Sequence, residues 1–272
     1  MISTTQNSKK VIEYLSFVFG IILVCFLIQV LAWIKNDSLV FPGILDVFGA
    51  FFKLLGDGNT YLYILYTLLA LILAILISTI LGLTLGVLAG VNKVVEQVLK
   101  PFMILFRSIP MIVLIVIIYL LVDNTIIPYI TSILILTPII YEAEKEGVKA
   151  IDRTYIDVYR LQSKFNLRVV FRVYLPMTSS YLKQAFSNAI GLGFKVIITV
   201  GYIAGVRNSF GLDLSMARQA LEFDKLYAYA LLFILIISIF ELIPLLISYI
   251  YNRVIFKQKK EEKIQKNWNR HE

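Results

Sequence analysis

Long apolar stretches recur along this chain, and they constrain its fold more than any single motif does. Six can be marked, over roughly 11–34, 61–90, 98–122, 126–141, 181–204 and 226–255. A bilayer core about 30 Å thick takes about 20 apolar residues per helix, so these lengths fit six crossings. Hydrophobic residues make up 59% of the chain and charged residues only 16%. That is more apolar surface than a soluble domain of this size could hide. The predicted fold is an all-α membrane protein with six transmembrane helices. Residues 1–10 form a polar leader, 11–256 the membrane domain and 257–272 a solvated tail rich in Lys, Glu and Gln. Glu13 interrupts the first apolar run and no small-residue cleavage site follows it, so that span reads as a retained anchor. Residues 44–55, behind a Pro42–Gly43 turn, are predicted to form an interfacial amphipathic helix.

Charge sets the expected orientation. With both termini inside, eighteen Lys and Arg residues fall in the inner segments, against five in the outer ones: Lys35, Lys53, Arg207, Arg218 and Lys225. Cytoplasmic loops carry the basic excess, so both termini and the charged stretch between the fourth and fifth spans are placed in the cytoplasm. The net charge of +8 is then a topology signal, and no nucleic-acid partner is called for.

Several chemistries are excluded by what the chain lacks. Its one histidine, His271, lies in the polar tail, and its one cysteine, Cys25, lies in the first apolar run. A His-ligated metal site or a Ser-His triad needs a positioned imidazole, and an intrachain disulfide needs a second cysteine. No G-x-x-x-x-G-K-[ST] phosphate loop is present. Neither catalysis, nor a metal, nor a cofactor is expected. Ser78, Gly82, Gly86 and Gly90 recur every fourth residue, which lets one helix face approach a neighbour closely. A packing seam inside one bundle is the favoured reading of that stripe, and a seam between two copies the alternative.

The charged stretch carries a pattern of its own. Asp157, Val158 and Tyr159 are followed by three residues, then Ser163, nine residues, and Val173-x-Leu175-Pro176. This register resembles the cytoplasmic E-A-A…G…I-x-L-P loop of ABC-importer permeases. Asp stands for Glu, Val and Tyr for the two Ala, and Ser for Gly. In that family the loop forms a coupling helix that docks into a groove of the ATP-hydrolysing subunit. Tyr159, in place of a small residue, implies a roomier groove on a dedicated partner. Further stretches resemble permeases for nitrate, sulfonates and taurine. These are Lys100-Pro101 to Arg107 and Pro110, Gly147-Val148-x-x-Ile151-Asp152, Gly193-Phe194-Lys195-Val196, and Phe210-Gly211-Leu212 followed by Ala217-Arg218-Gln219. The family's acidic residue after the fifth-helix motif is Gly201 here, and the second glycine of its outer G-L-G is Asp213.

The resemblance implies a type I ABC-importer permease fold with a cytoplasmic coupling helix. It also implies two ABC ATPase subunits, an extracytoplasmic substrate-binding protein, and a second permease, identical or similar. The solute would be small and polar or anionic, of a sulfonate, nitrate-like or vitamin-precursor class. The alternative is a stand-alone secondary transporter or channel, which would tend to show repeated halves with matching broken helices. Intramembrane charge is costly and needs a reason. Arg107 can snorkel to the interface or face the path. Lys195, deep in the fifth span, either pairs with Glu241 of the sixth or lines the path. Arg107, Lys195 and Glu241 are thus the candidate path residues.

Overall fold

The computed structural model describes residues 40–152, 154–155 and 169–240, with positions 19, 20, 23, 26, 29, 30 and 34 of the first apolar run. Among these residues there is helix and turn but no strand. In chain order the helices are α1 (Ile44–Gly56), α2 (Gly58–Val91), α3 (Lys93–Ser108), α4 (Met111–Tyr119), α5 (Ile127–Lys149), α6 (Leu175–Ala204), α7 (Phe210–Gln219) and α8 (Phe223–Phe240). Among the described residues, three helical segments are long and apolar enough to cross a membrane: Gly58–Val91, Val170–Ala204 and Phe223–Phe240. The α3–α4 pair qualifies jointly as a fourth, bent by 98°. The expected first span lies mostly outside the described residues.

The third span was marked as one run over roughly 98–122, and it falls in two helices. Pro110 has no N–H to give, and its ring disfavours the helical conformation at the residue before it. Ile109 is accordingly extended (φ −66°, ψ 127°), α3 ends at Ser108, and α4 restarts at Met111. The fifth span also differs, because α6 begins at Leu175 rather than near 181. A π-helical turn, Val170–Tyr174, feeds into it, with the Leu175 N–H reaching back to the Val170 carbonyl. Pro176 follows within the first turn of α6; it has no N–H to continue the ladder, and the π turn lies directly before it.

Chain clustering divides the molecule into two units, Met1–Tyr61 with Asp213–Phe233, and Leu62–Leu212 with Ile234–Glu272. In the larger, the small-residue stripe of α2 forms a seam within the bundle. A side chain at Gly82 would strike Ile140 of α5, one at Gly86 would strike Glu144, and one at Gly90 would strike Val148. Both helices advance by four residues per contact, so they run parallel. Gly147 of α5 meets Thr178 of α6, while Gly193 of α6 meets Leu136 of α5, so that pair is antiparallel. The bent pair joins the two ends of this bundle. Met103 of α3 packs with Ala89 and Tyr141 near one end. Leu114, Ile115 and Ile118 of α4 pack with Ile127, Val200 and Ala204 at the other. Two parallel helices in succession need such a return stroke between them, and α3–α4 supplies it.

In the smaller unit, α1 has the predicted amphipathic character. Val47, Ala50 and Leu54 are buried, whereas Leu45, Phe48 and Phe52 are exposed along one side. The Asp46 carboxylate accepts the Gly43 N–H at 3.2 Å, closing the first turn. Asp213 accepts a hydrogen bond from the Tyr229 hydroxyl and pairs with Lys225 at 3.2 Å.

Candidate functional site

Two places on the larger unit hold the residues expected to bear the function. The first is the end where α2 and α5 finish and α6 begins. Val87, Val148, Ile151, Val169 and Tyr174 form one buried cluster there, with Val91, Val170 and Val173 packed against it. Ile151 and Val169 stand six residues outside 157–163 on either side, so both approaches to that stretch are gripped by the same apolar cluster. Asp157, Val158, Tyr159 and Ser163 lie outside the described residues. Val173 and Leu175 are half-buried, and Pro176 is exposed. Asp152 accepts from the Thr154 N–H and hydroxyl at 2.9 and 2.8 Å, which holds its carboxyl below the ordinary range and begins the segment with a capping turn.

A polar scaffold surrounds this cluster, and sequence reasoning did not find it. Glu144 is 0% exposed, wedged against Gly86. The Thr178 hydroxyl lies 2.9 Å from its Oε2, while Oε1 has no hydrogen-bond partner among the described residues. Burial pushes the Glu144 carboxyl up, with the Thr178 hydrogen bond opposing. The Thr178 hydroxyl donates to Oε2 and also lies 3.4 Å from the Leu175 carbonyl, so the pair ties α5 to α6. Nearby, Glu96 of α3 pairs with Lys149 at 2.5 Å and with Lys145 at 3.8 Å. Lys145 also reaches Glu142 and Glu146 at 2.7 and 3.3 Å. Burial works against the Lys145 charge, but its bonds to Glu142 and Glu146 outweigh it and the ammonium is held above its ordinary value. The Lys149 hydrogen bond holds Glu96 down. These pairs tie the first turn of α3 to the last turns of α5. The available signal was periodicity. Ile140, Glu144 and Val148 repeat every fourth residue, as the glycines opposite them do, so Glu144 belongs to a buried stripe and not to a solvated charge run.

The second place is the outer surface of α6. Lys195 is exposed there, and among the described residues it makes no ion pair. Glu241, its expected partner, lies outside them. Lys195 borders a cleft of 380 Å³ lined by Ile139, Ser187, Asn188, Gly191 and Leu192. Arg107 is also exposed, in the last turn of α3 at the corner of the bent pair. A cation there complements the carbonyl end of the helix. The structure does not bring Arg107 and Lys195 together in one cleft.

Gly201 has a packing explanation. A Cβ on it would lie 2.7 Å from Ser209 Oγ and 3.1 Å from Gly211 Cα. The start of α7 lies flush against the end of α6, and an acidic side chain at 201 would force them apart.

No curated protein matches the sequence. Residues 82–257, well over half of the chain, match the family described as binding-protein-dependent transport system inner membrane component.

Proposed function

The chain belongs to the family of binding-protein-dependent transport system inner membrane components, and from that premise we propose that it is the permease of an ABC importer whose segment 157–176 couples it to a separate ATPase. Membership makes it a multi-pass permease component of an ABC transporter, with ATPase and substrate-binding-protein partners. The inward direction of transport, the two-permease assembly with two ATPases, the cytoplasmic termini and a sulfonate-, nitrate- or vitamin-precursor-like solute are parts of the proposal. So are the six crossings and the absence of catalysis by the chain itself.

One observation carries the coupling assignment: the flanks of 157–163 meet in a single buried cluster. A subunit that does not hydrolyse ATP has to receive displacement through a stiff element. A helix held at both ends by Val148, Ile151, Val169 and Tyr174 would pass motion of its partner straight to α2, α5 and α6. Closure of the two ATPases would draw two such elements together and shift the permease between inward- and outward-open states. Among the described residues, Lys145, Lys149 and Arg172 lie at this end, which supports a cytoplasmic location.

Removing 157–163, or substituting Tyr159→Asp, is expected to abolish both solute uptake and co-purification of the ATPase while the permease stays in the membrane. Wild-type stoichiometry of the ATPase with persistent uptake would refute the assignment. Gradient-driven uptake by the permease alone would replace it with a stand-alone transporter.

A further inference from the structure

We propose that the cleft between α5 and α6 is a binding subsite for a small organic anion, with Lys195, Asn188 and Ser187 as its polar contacts. This rests on the permease reading and adds to it a place on the chain and the residues that would make the polar contacts. Lys195 lies nine residues before Ala204, the end of α6, or about 14 Å along the axis at ~1.5 Å per residue. A lysine stem spans about half of that, so the ammonium cannot reach the end of the helix by snorkelling. An ammonium exposed at that depth is costly in lipid. It is accommodated where the surface faces water or another protein chain.

The surface around Lys195 has that character. Asn188 lies two turns before it and is exposed, and Ser187 is half-buried beside it. Among the described residues neither side chain makes a hydrogen bond, so both are available to a ligand. Lys195 offers only donors, Ser187 and Asn188 each add one or more, and among the described residues no carboxylate lines the cleft. Ile139 and Leu192 supply apolar lining, and Gly191 adds no side chain. A volume of 380 Å³ lies in the range of small-molecule pockets. Donors at one end and aliphatic walls at the other suit an anionic head, such as a sulfonate or carboxylate, on a short apolar body.

The test needs no knowledge of the transported solute. In the full chain with Cys25→Ser, co-expressed with its ATPase in membrane vesicles, Asn188→Cys supplies a reporter thiol. Its reaction rates with sulfonatoethyl methanethiosulfonate and with trimethylammonioethyl methanethiosulfonate are measured and normalised to a free thiol in solution. The normalised anion-to-cation ratio is expected to exceed one. It should fall about threefold or more with Lys195→Gln, from loss of one charge some 10 Å away in a partly screened setting, and it should survive Lys195→Arg. Absence of reaction with either reagent, a normalised ratio of one or less, or a ratio insensitive to Lys195→Gln would each overturn the subsite. If the ATPase co-purifies in those same vesicles, such a failure removes the subsite while the permease assignment stands.

Discussion

Replacing Gly86 with alanine probes the seam on which the coupling end is built. A Cβ there would lie 2.7 Å from the Glu144 Cβ, 2.9 Å from the Tyr141 carbonyl oxygen and 3.1 Å from the Glu144 Cγ. Carbon atoms pack comfortably at about 3.5–4.0 Å, so α2 and α5 would have to part by roughly 1 Å. The Tyr141 carbonyl belongs to the helix backbone and cannot swing aside. Overpacking costs about 1–3 kcal/mol, and three close contacts against a fully buried residue put this case near ~3 kcal/mol. Alanine returns ~1 kcal/mol through its better helix propensity, leaving a net loss of about 2 kcal/mol. Gly49 in α1 is the control, because a Cβ there meets nothing within 4 Å and the same change should gain ~0.5–1 kcal/mol. The two variants should differ by about 3 kcal/mol. At ~2–4 °C per kcal/mol for a chain of this size, that difference corresponds to unfolding midpoints roughly 6–12 °C apart. Heating detergent-solubilised samples and measuring the monodisperse fraction by size exclusion gives both midpoints. A Gly86→Ala midpoint equal to or above that of Gly49→Ala would refute the seam.

Glu144 gives a pH test. Its folded-state pKa is raised, so its contribution to stability is greatest below the ordinary carboxyl value. It declines by up to about 1.4 kcal/mol per pH unit as pH rises toward the folded value, then levels off. Glu144→Gln keeps the shape and the bond to Thr178 but removes the proton, so the midpoint of the variant minus that of wild type should grow between pH 5 and 8. A constant difference would mean that Glu144 is ionised throughout. At the coupling end, Ile151→Ala should cost about 2–4 kcal/mol and lower the solute moved per ATP hydrolysed in reconstituted vesicles. Unchanged stoichiometry would show that the Val148–Val169 cluster does not hold the coupling segment.

The long helices could be read from the sequence because apolar runs of membrane length leave the chain few alternatives. The bend at Pro110 was harder to read. Counting apolar residues over 98–122 records how much surface is buried and nothing of direction, so a broken span and a straight one look alike. The local signal was present in Ile109-Pro110, but its consequence depends on whether a neighbour supports the corner. The start of α6 was placed six residues late for a related reason. Thr178, Ser179, Ser180, Lys183 and Gln184 depress the hydropathy of its first turns, yet Thr178 is buried against Glu144 and the helix runs through them. In both places the deciding contact lies far away in sequence.

Polar residues next to apolar runs misled the reading more than the apolar runs did. Glu144 sits in Glu142-Ala-Glu-Lys-Glu146, which in isolation reads as a solvated face. Its neighbours are ion-paired instead: Glu142 and Glu146 reach Lys145, itself buried, and Lys149 reaches Glu96. Only the four-residue step from Ile140 through Glu144 to Val148, facing the same step from Gly82 through Gly86 to Gly90, separates Glu144 from them. That shared step also bears on coupling. A seam with glycine backbone on one side and branched or buried side chains on the other has little room to slide. Val148 belongs both to that seam, opposite Gly90, and to the cluster holding Ile151 and Val169. If the proposed coupling holds, a force delivered to Ile151 and Val169 would reach α2 and α5 together through this cluster.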